Sequence, residues 1–210
     1  MIMKITLKTL VYSFLFIFIS SAAKAQLSVP DSLRIGIGGE LFSTTGSNFG
    51  TDVNVPANSE AGAAYNYGAG VSLRVDIPVI SSLFVTASAG YNTYFKSKNA
   101  DKSQQAITNG SLPNFNTIPL KVGLKVFIGG DRFYAHGEVG ETLLANKKAL
   151  YAIYSNSFTW SPGIGLIFPL QKRHTYIDGG IRFESASTFY NNKTTNNFWA
   201  LHVAYAFNLK

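Results

Sequence analysis

Residues 65–96 read YNYGAGVSLRVDIPVISSLFVTASAGYNTYFK. Either side of a turn at PVISS, apolar side chains alternate with small or polar ones. In the first arm Tyr65, Tyr67, Val71, Leu73 and Ile77 share one parity, and Gly68, Gly70, Ser72, Arg74 and Asp76 share the other. In the second arm Leu83, Val85, Ala87, Tyr91 and Phe95 oppose Thr86, Ser88, Gly90, Asn92 and Lys96. Strict period-two alternation marks a strand with two unlike faces. Each arm is longer than the five or six residues usual in soluble sheets. Each matches the roughly 9–11 residues that carry a tilted strand across hydrocarbon. In lipid no strand edge can stay unpaired, so a hairpin of this kind predicts a closed barrel.

The same alternation recurs over residues 33–42, 117–128, 133–144, 156–168, 175–185 and 199–209, which brings the count to eight strands. The connections alternate in length. Short turns are expected at PVISS, at Gly129-Gly130-Asp131-Arg132 and over 169–174; polar loops are expected over 43–63, 97–116, 145–155 and 187–196. All short turns then lie at one end and all long loops at the other, as in outer-membrane barrels with short periplasmic turns and longer outside loops. The prediction is an all-β fold: a closed, eight-stranded, antiparallel, up-and-down transmembrane β-barrel.

Residues 1–25 have the layout of a secretory signal: Lys4 and Lys8 precede an apolar run, LVYSFLFIFI, and Ala23-Lys24-Ala25 is a small-x-small cleavage site. The expected division is therefore a signal peptide over 1–25 and a barrel domain over 26–210. The chain has no cysteine, which removes disulfides, a thiolate metal site and a lipid-anchoring cysteine. The formal charge is +7, but three lysines fall in the leader, leaving fifteen basic against eleven acidic residues without a basic run. Nothing there suits nucleic acid.

A soluble barrel would turn its apolar face inward. Here the other parity carries Gly, Ser, Ala and the charges, which suits a narrow polar lumen. Aromatic residues mark both ends of the apolar face: Tyr65, Tyr67, Tyr91, Phe158, Trp160 and Trp199 towards the loops, and Phe133, Phe168, Tyr205 and Phe207 towards the turns. Paired girdles of this kind indicate a lipid-facing exterior. The register has an energetic basis, because a Lys or Arg facing the bilayer midplane costs roughly 2–4 kcal/mol. Two residues fit less simply. Glu141 has outward parity and calls for a rim position or a bulge near Gly140. Pro162 cannot donate a ladder hydrogen bond, so a bulge is expected there.

Inward parity collects Arg34, Arg74, Lys121, Lys125 and Arg182 against Glu40, Asp76, Glu138, Asp178 and Glu184. Five charges of each sign predict a neutralising salt-bridge network, because buried charges persist only when paired. His136-x-Glu138 with His202 is the one catalytic possibility, but both histidines point into the lumen, and His136 lies near the short-turn end. No metal-ligand spacing is present, and no cofactor is expected.

IPLKVGLKVFIGGDRFYAHGEVG and SPGIGLIFPLQKRHTYIDGGIRFE each lead an outgoing alternating strand through a tight turn into an aromatic-led return. With these phrases the chain resembles the small outer-membrane β-barrel proteins of Gram-negative bacteria, the OmpA/OmpX-like superfamily. It is most similar to the outer membrane protein beta-barrel domains of Bacteroidetes type. The resemblance implies residence in the cell outer membrane among lipid and lipopolysaccharide, and a monomer is expected. It also implies recognition by the outer-membrane assembly machinery through the C-terminal strand, which departs from the family pattern by ending Asn208-Leu209-Lys210. The expected role is non-catalytic: structural, or presenting the long loops to an extracellular ligand. A narrow porin-like path for small solutes and a lipid-A-modifying enzyme are the alternatives.

Overall fold

The computed structural model describes residues 32–45, 65–96, 113–150, 152–170, 174–189 and 195–209. The expected signal peptide, most of the loop segments over 43–63 and 97–116, residues 190–194 of the loop over 187–196 and residues 171–173 of the turn over 169–174 lie outside them.

Eight strands form: β1 (Arg34–Thr45), β2 (Tyr65–Ile80), β3 (Leu83–Lys96), β4 (Phe115–Phe127), β5 (Phe133–Leu144), β6 (Asn156–Pro169), β7 (Thr175–Ser187) and β8 (Thr195–Asn208). Each pairs antiparallel with its sequence neighbours, and β1 pairs with β8, so the sheet is a closed up-and-down barrel. The alternation sets the two faces as expected. Ile37, Leu41, Val71, Val122, Leu201 and Val203 stand exposed on the outside, while Glu40, Lys121, Glu138 and Arg182 are buried within.

The lumen closes tightly because inward glycines face inward large side chains. A Cβ on Gly163 would come within 2.6 Å of the His136 ring, and one on Gly180 within 2.6 Å of the His202 ring. Each glycine thus makes room for one histidine. The turn between β4 and β5 uses Gly129 and Gly130 at positive φ (68° and 151°), which glycine adopts without steric cost.

Three local expectations change, and Glu141 takes one of its two expected alternatives. The turn at PVISS is shorter than it reads: Pro78, Val79 and Ile80 remain in β2, and only Ser81 and Ser82 turn. The β2–β3 register shifts between Tyr65 and Tyr67 and again between Pro78 and Ile80. The first shift turns Tyr65 inward, fully buried, away from the outer girdle, whereas Tyr67 stays outside at 67% exposure. No bulge forms at Pro162. The β6–β7 ladder is unbridged between Trp160↔Ser185 and Gly163↔Arg182 and resumes in the same register. A second gap, in the β3–β4 ladder, lies beside Pro119, between Ala89↔Leu120 and Asn92↔Thr117. Both prolines lack the N–H a ladder rung would use, and the sheet leaves out the rung without inserting a residue. Glu141 takes the rim position, without a bulge: the β4–β5 register runs unbroken through Leu120↔Glu141, and the Asn156 amide donates to its carboxylate at 3.3 Å.

Candidate functional site

The lumen is where the chain concentrates its ionisable groups, and it is built in layers. Nearest the long loops lies an apolar layer. Phe42 of β1, Tyr94 of β3 and Phe198 of β8 meet with ring centroids 5.3–5.5 Å apart, and Phe115 of β4 lies 5.9 Å from Tyr94. Tyr65, turned in by the β2 irregularity, packs on Phe115 at 5.5 Å and donates its hydroxyl to the Pro113 carbonyl at 2.8 Å.

The segment between β5 and β6, expected to be a plain polar loop, covers this layer. Leu150 and Ala152 are buried in the same cluster, together with Phe189 from beyond β7. The amides of Ile153 and Tyr154 donate to the Phe189 carbonyl at 3.0 and 2.9 Å. Asn146 accepts from the Asn116 amide at 3.1 Å and donates to the Asn114 carbonyl at 2.6 Å, which ties the segment to the start of β4.

Below it lies an ionic layer with six charges. Arg182 grips Glu40 with two parallel hydrogen bonds of 2.8 Å and reaches Glu184 with Nε at 3.1 Å. Lys121 sits 2.7 Å from Glu184 and 3.4 Å from Glu138, and donates to Ser161 at 3.2 Å. Arg74 approaches Glu138 at 3.6 Å. A void of about 10 Å³ lies among Glu40, Arg74, Lys121, Glu138 and Arg182, room for a single water at most.

The next layer is built on Lys125, which has no solvent exposure. It holds Asp76 at 2.6 Å and Asp178 at 3.2 Å and lies 4.5 Å from the Tyr134 ring centre. The Tyr134 hydroxyl donates to Asp178, and His202 Nε2 lies 3.3 Å from the same carboxylate and 3.2 Å from the Tyr134 oxygen. His136 stacks between the Tyr134 and His202 rings, at 5.7 and 6.3 Å, with neither ring nitrogen in a hydrogen bond. A second apolar layer, Phe84, Phe127, Tyr134 and Ile167 with Tyr176 against it, closes the short-turn end.

Nine of the ten charges expected to meet in the lumen do so. Arg34 does not join them. Its guanidinium lies over the rings of Phe84, Phe127 and Tyr176, at 4.5, 5.4 and 5.4 Å from their centres, and so belongs to the lower apolar layer as a cation–π partner. Sequence reasoning missed both apolar layers and the Tyr134 hub. The signal was present, because Phe42, Phe84, Tyr94, Phe127 and Phe198 share parity with the charges of their own strands or with their small inward neighbours. The girdle argument drew attention only to aromatics of the other parity.

Chemically, this arrangement neutralises and fills. His136 and His202 are enclosed by aromatic layers on both sides, away from any rim where a lipid substrate could arrive. Among the described residues no group of His, Asp or Glu has the arrangement of a metal site.

No family model matches the sequence, and no curated protein matches it. Solved structures do. The outer membrane protein OprG from Pseudomonas aeruginosa superposes with a TM-score of 0.52 at 13% identity, over 89% of this chain and 99% of that one. The attachment invasion locus protein Ail of Yersinia pestis gives a TM-score of 0.46 at 13% identity over 84% and 98%. The outer membrane protein AlkL in lipid bilayers gives 0.47 at 12% identity over 89% and 94%. The OprG likeness is one of fold: this chain is a closed eight-stranded β-barrel that resembles a small outer-membrane protein.

Proposed function

We propose that the protein is a non-catalytic, monomeric barrel of the outer membrane whose lumen is a structural plug and whose long loops meet partners outside the cell. The plug carries the reading: a salt-bridged centre sealed by an aromatic layer at each end, with a void no larger than one water. An eight-stranded barrel has an interior that side chains just fill, and the described layers are consistent with such a filling. A leader over residues 1–25 would deliver the chain to the envelope, and β8 would present the strand read by the assembly machinery. Lipid and lipopolysaccharide would cover the apolar exterior.

The test is planar-bilayer conductance of the refolded protein, wild type beside Arg182→Ala, with folding checked by the mobility difference between unheated and boiled samples. The expected result is a silent wild type, even where the variant flickers open. Steady wild-type channels that change with Arg182 would overturn the plug and put the narrow-pore alternative first.

A further inference from the structure

The exterior carries one feature that neither the plug nor the loops explain. On β6, β7 and β8, in the third of each strand nearest the long loops, three outward rings touch. Trp160 lies 5.8 Å from Phe183, and Phe183 lies 5.3 Å from Trp199. The register seats two polar side chains among them: Ser185 stands across from Trp160 on one side and from Asn197 on the other, and Phe183 stands across from Trp199. Ser185 is buried, and the Asn197 side-chain oxygen is shielded and without a hydrogen-bond partner. The tryptophans themselves are half open, at 44% and 47% exposure.

An ordinary interfacial girdle spaces amphipathic rings along the membrane surface, where each finds water or headgroups on its own. This patch differs in packing its rings together beside a carboxamide oxygen that is shielded from water, a state that costs roughly 1–3 kcal/mol unless something bonds to it. Charge narrows the occupant. Glu141 stands at the neighbouring rim of β5, while the outward positions of β5 through β8 carry neither Lys nor Arg. Among the described outward strand positions a phosphate would find a carboxylate and no cation. A neutral sugar ring fits better: its C–H face lies flat on an indole, and its edge hydroxyls both donate and accept towards Asn197, Ser185 and Glu141.

We propose that Trp160, Phe183 and Trp199, with Asn197 and Ser185, form a lateral binding site for the neutral saccharide portion of an outer-leaflet glycolipid. The acyl chains of such a lipid run down the aliphatic band below, past Leu201 and Ile181. Asn197 supplies the acceptor that tells a sugar hydroxyl from a choline or phosphate headgroup, with the flanking indoles turning to admit it.

The chain offers a direct reporter, since Trp160 and Trp199 are its two tryptophans. The refolded protein would be placed in phosphatidylcholine vesicles with a rising fraction of phosphate-free glucosyl diacylglycerol, and separately with phosphatidylglycerol of the same acyl chains, while tryptophan emission is followed. The expected result is a saturable change with the glucosyl lipid alone. Asn197→Ala should move its midpoint to at least a several-fold higher lipid fraction, with the folded-state gel mobility unchanged. Ser185→Ala, a smaller change, should move it less. Equal titrations with the two lipids, or an Asn197→Ala curve that overlays the wild type, would overturn the site and leave a generic girdle. A response to lipid A but not to the phosphate-free glycolipid would overturn it too, by pointing to phosphate recognition.

Discussion

The two halves of the ionic lumen solve one problem differently. Around Arg182, three cations (Arg74, Lys121, Arg182) meet three carboxylates (Glu40, Glu138, Glu184), and the strongest contact is a two-pronged arginine grip. Around Lys125, one cation serves two carboxylates, and the hydroxyl of Tyr134 and the imidazole of His202 complete the shell of Asp178. The upper half is balanced charge for charge. The lower half depends on a single ammonium, with the Tyr134 hydroxyl and the His202 ring beside Asp178. Redundancy therefore differs: Glu138 and Glu184 each contact two cations and Glu40 is held by Arg182, while Asp76 and Asp178 share Lys125.

That contrast can be broken most forcefully at Lys125. Lys125→Met keeps the volume of the stem but strands two buried carboxylates. Removing one partner of a buried pair costs about 3–5 kcal/mol, and this variant should reach or exceed the top of that range in urea titrations of the refolded barrel. Arg182→Met is expected to cost less, about 3 kcal/mol, because Lys121 still holds Glu184. If the two variants prove equal, the upper half is no more redundant than the lower. Tyr134→Phe sharpens the point: it removes one hydrogen bond to a charged group, worth about 1.5–3 kcal/mol, and the same titration should place it below both. At the small end, Glu141→Gln touches only the exposed rim contact with Asn156, and its unfolding midpoint should overlay the wild type.

Alternation made the strands, their number, their closure and the inward charges legible, because each follows from which face a residue occupies. Depth did not follow. Parity places Phe84 and Lys125 alike in the lumen, and the register sets them across from each other, yet one packs in a sealing layer and the other reaches Asp76 and Asp178 in the ionic centre. Parity also fails where the count slips. Tyr65 reads as an outer girdle residue and becomes a lumen residue because one extra residue enters β2 before Tyr67. Arg34 shows a third limit: its face was legible, but its partner was not. The nearest rings, Phe84, Phe127 and Tyr176, come from three other strands. The Pro162 bulge failed for a different reason, since a missing donor can be absorbed by leaving a rung unmade.

The seam between β1 and β8 runs unbroken from Arg34↔Asn208 to Thr45↔Asn197. It joins the first strand of the barrel to the last, so its two sides are the most remote in sequence of any pairing in the sheet. Its inner lining is small: Gly36 and Gly38 stand across from Ala206 and Ala204, and a Cβ on Gly38 would come within 2.7 Å of the Ala204 side chain. Contacts this remote in sequence are slow to find, because the intervening chain must give up its freedom first. A single methyl at Gly38 would therefore press on Val203 and Ala204 of β8 and strain the one pairing that closes the ring, while touching none of the other seven.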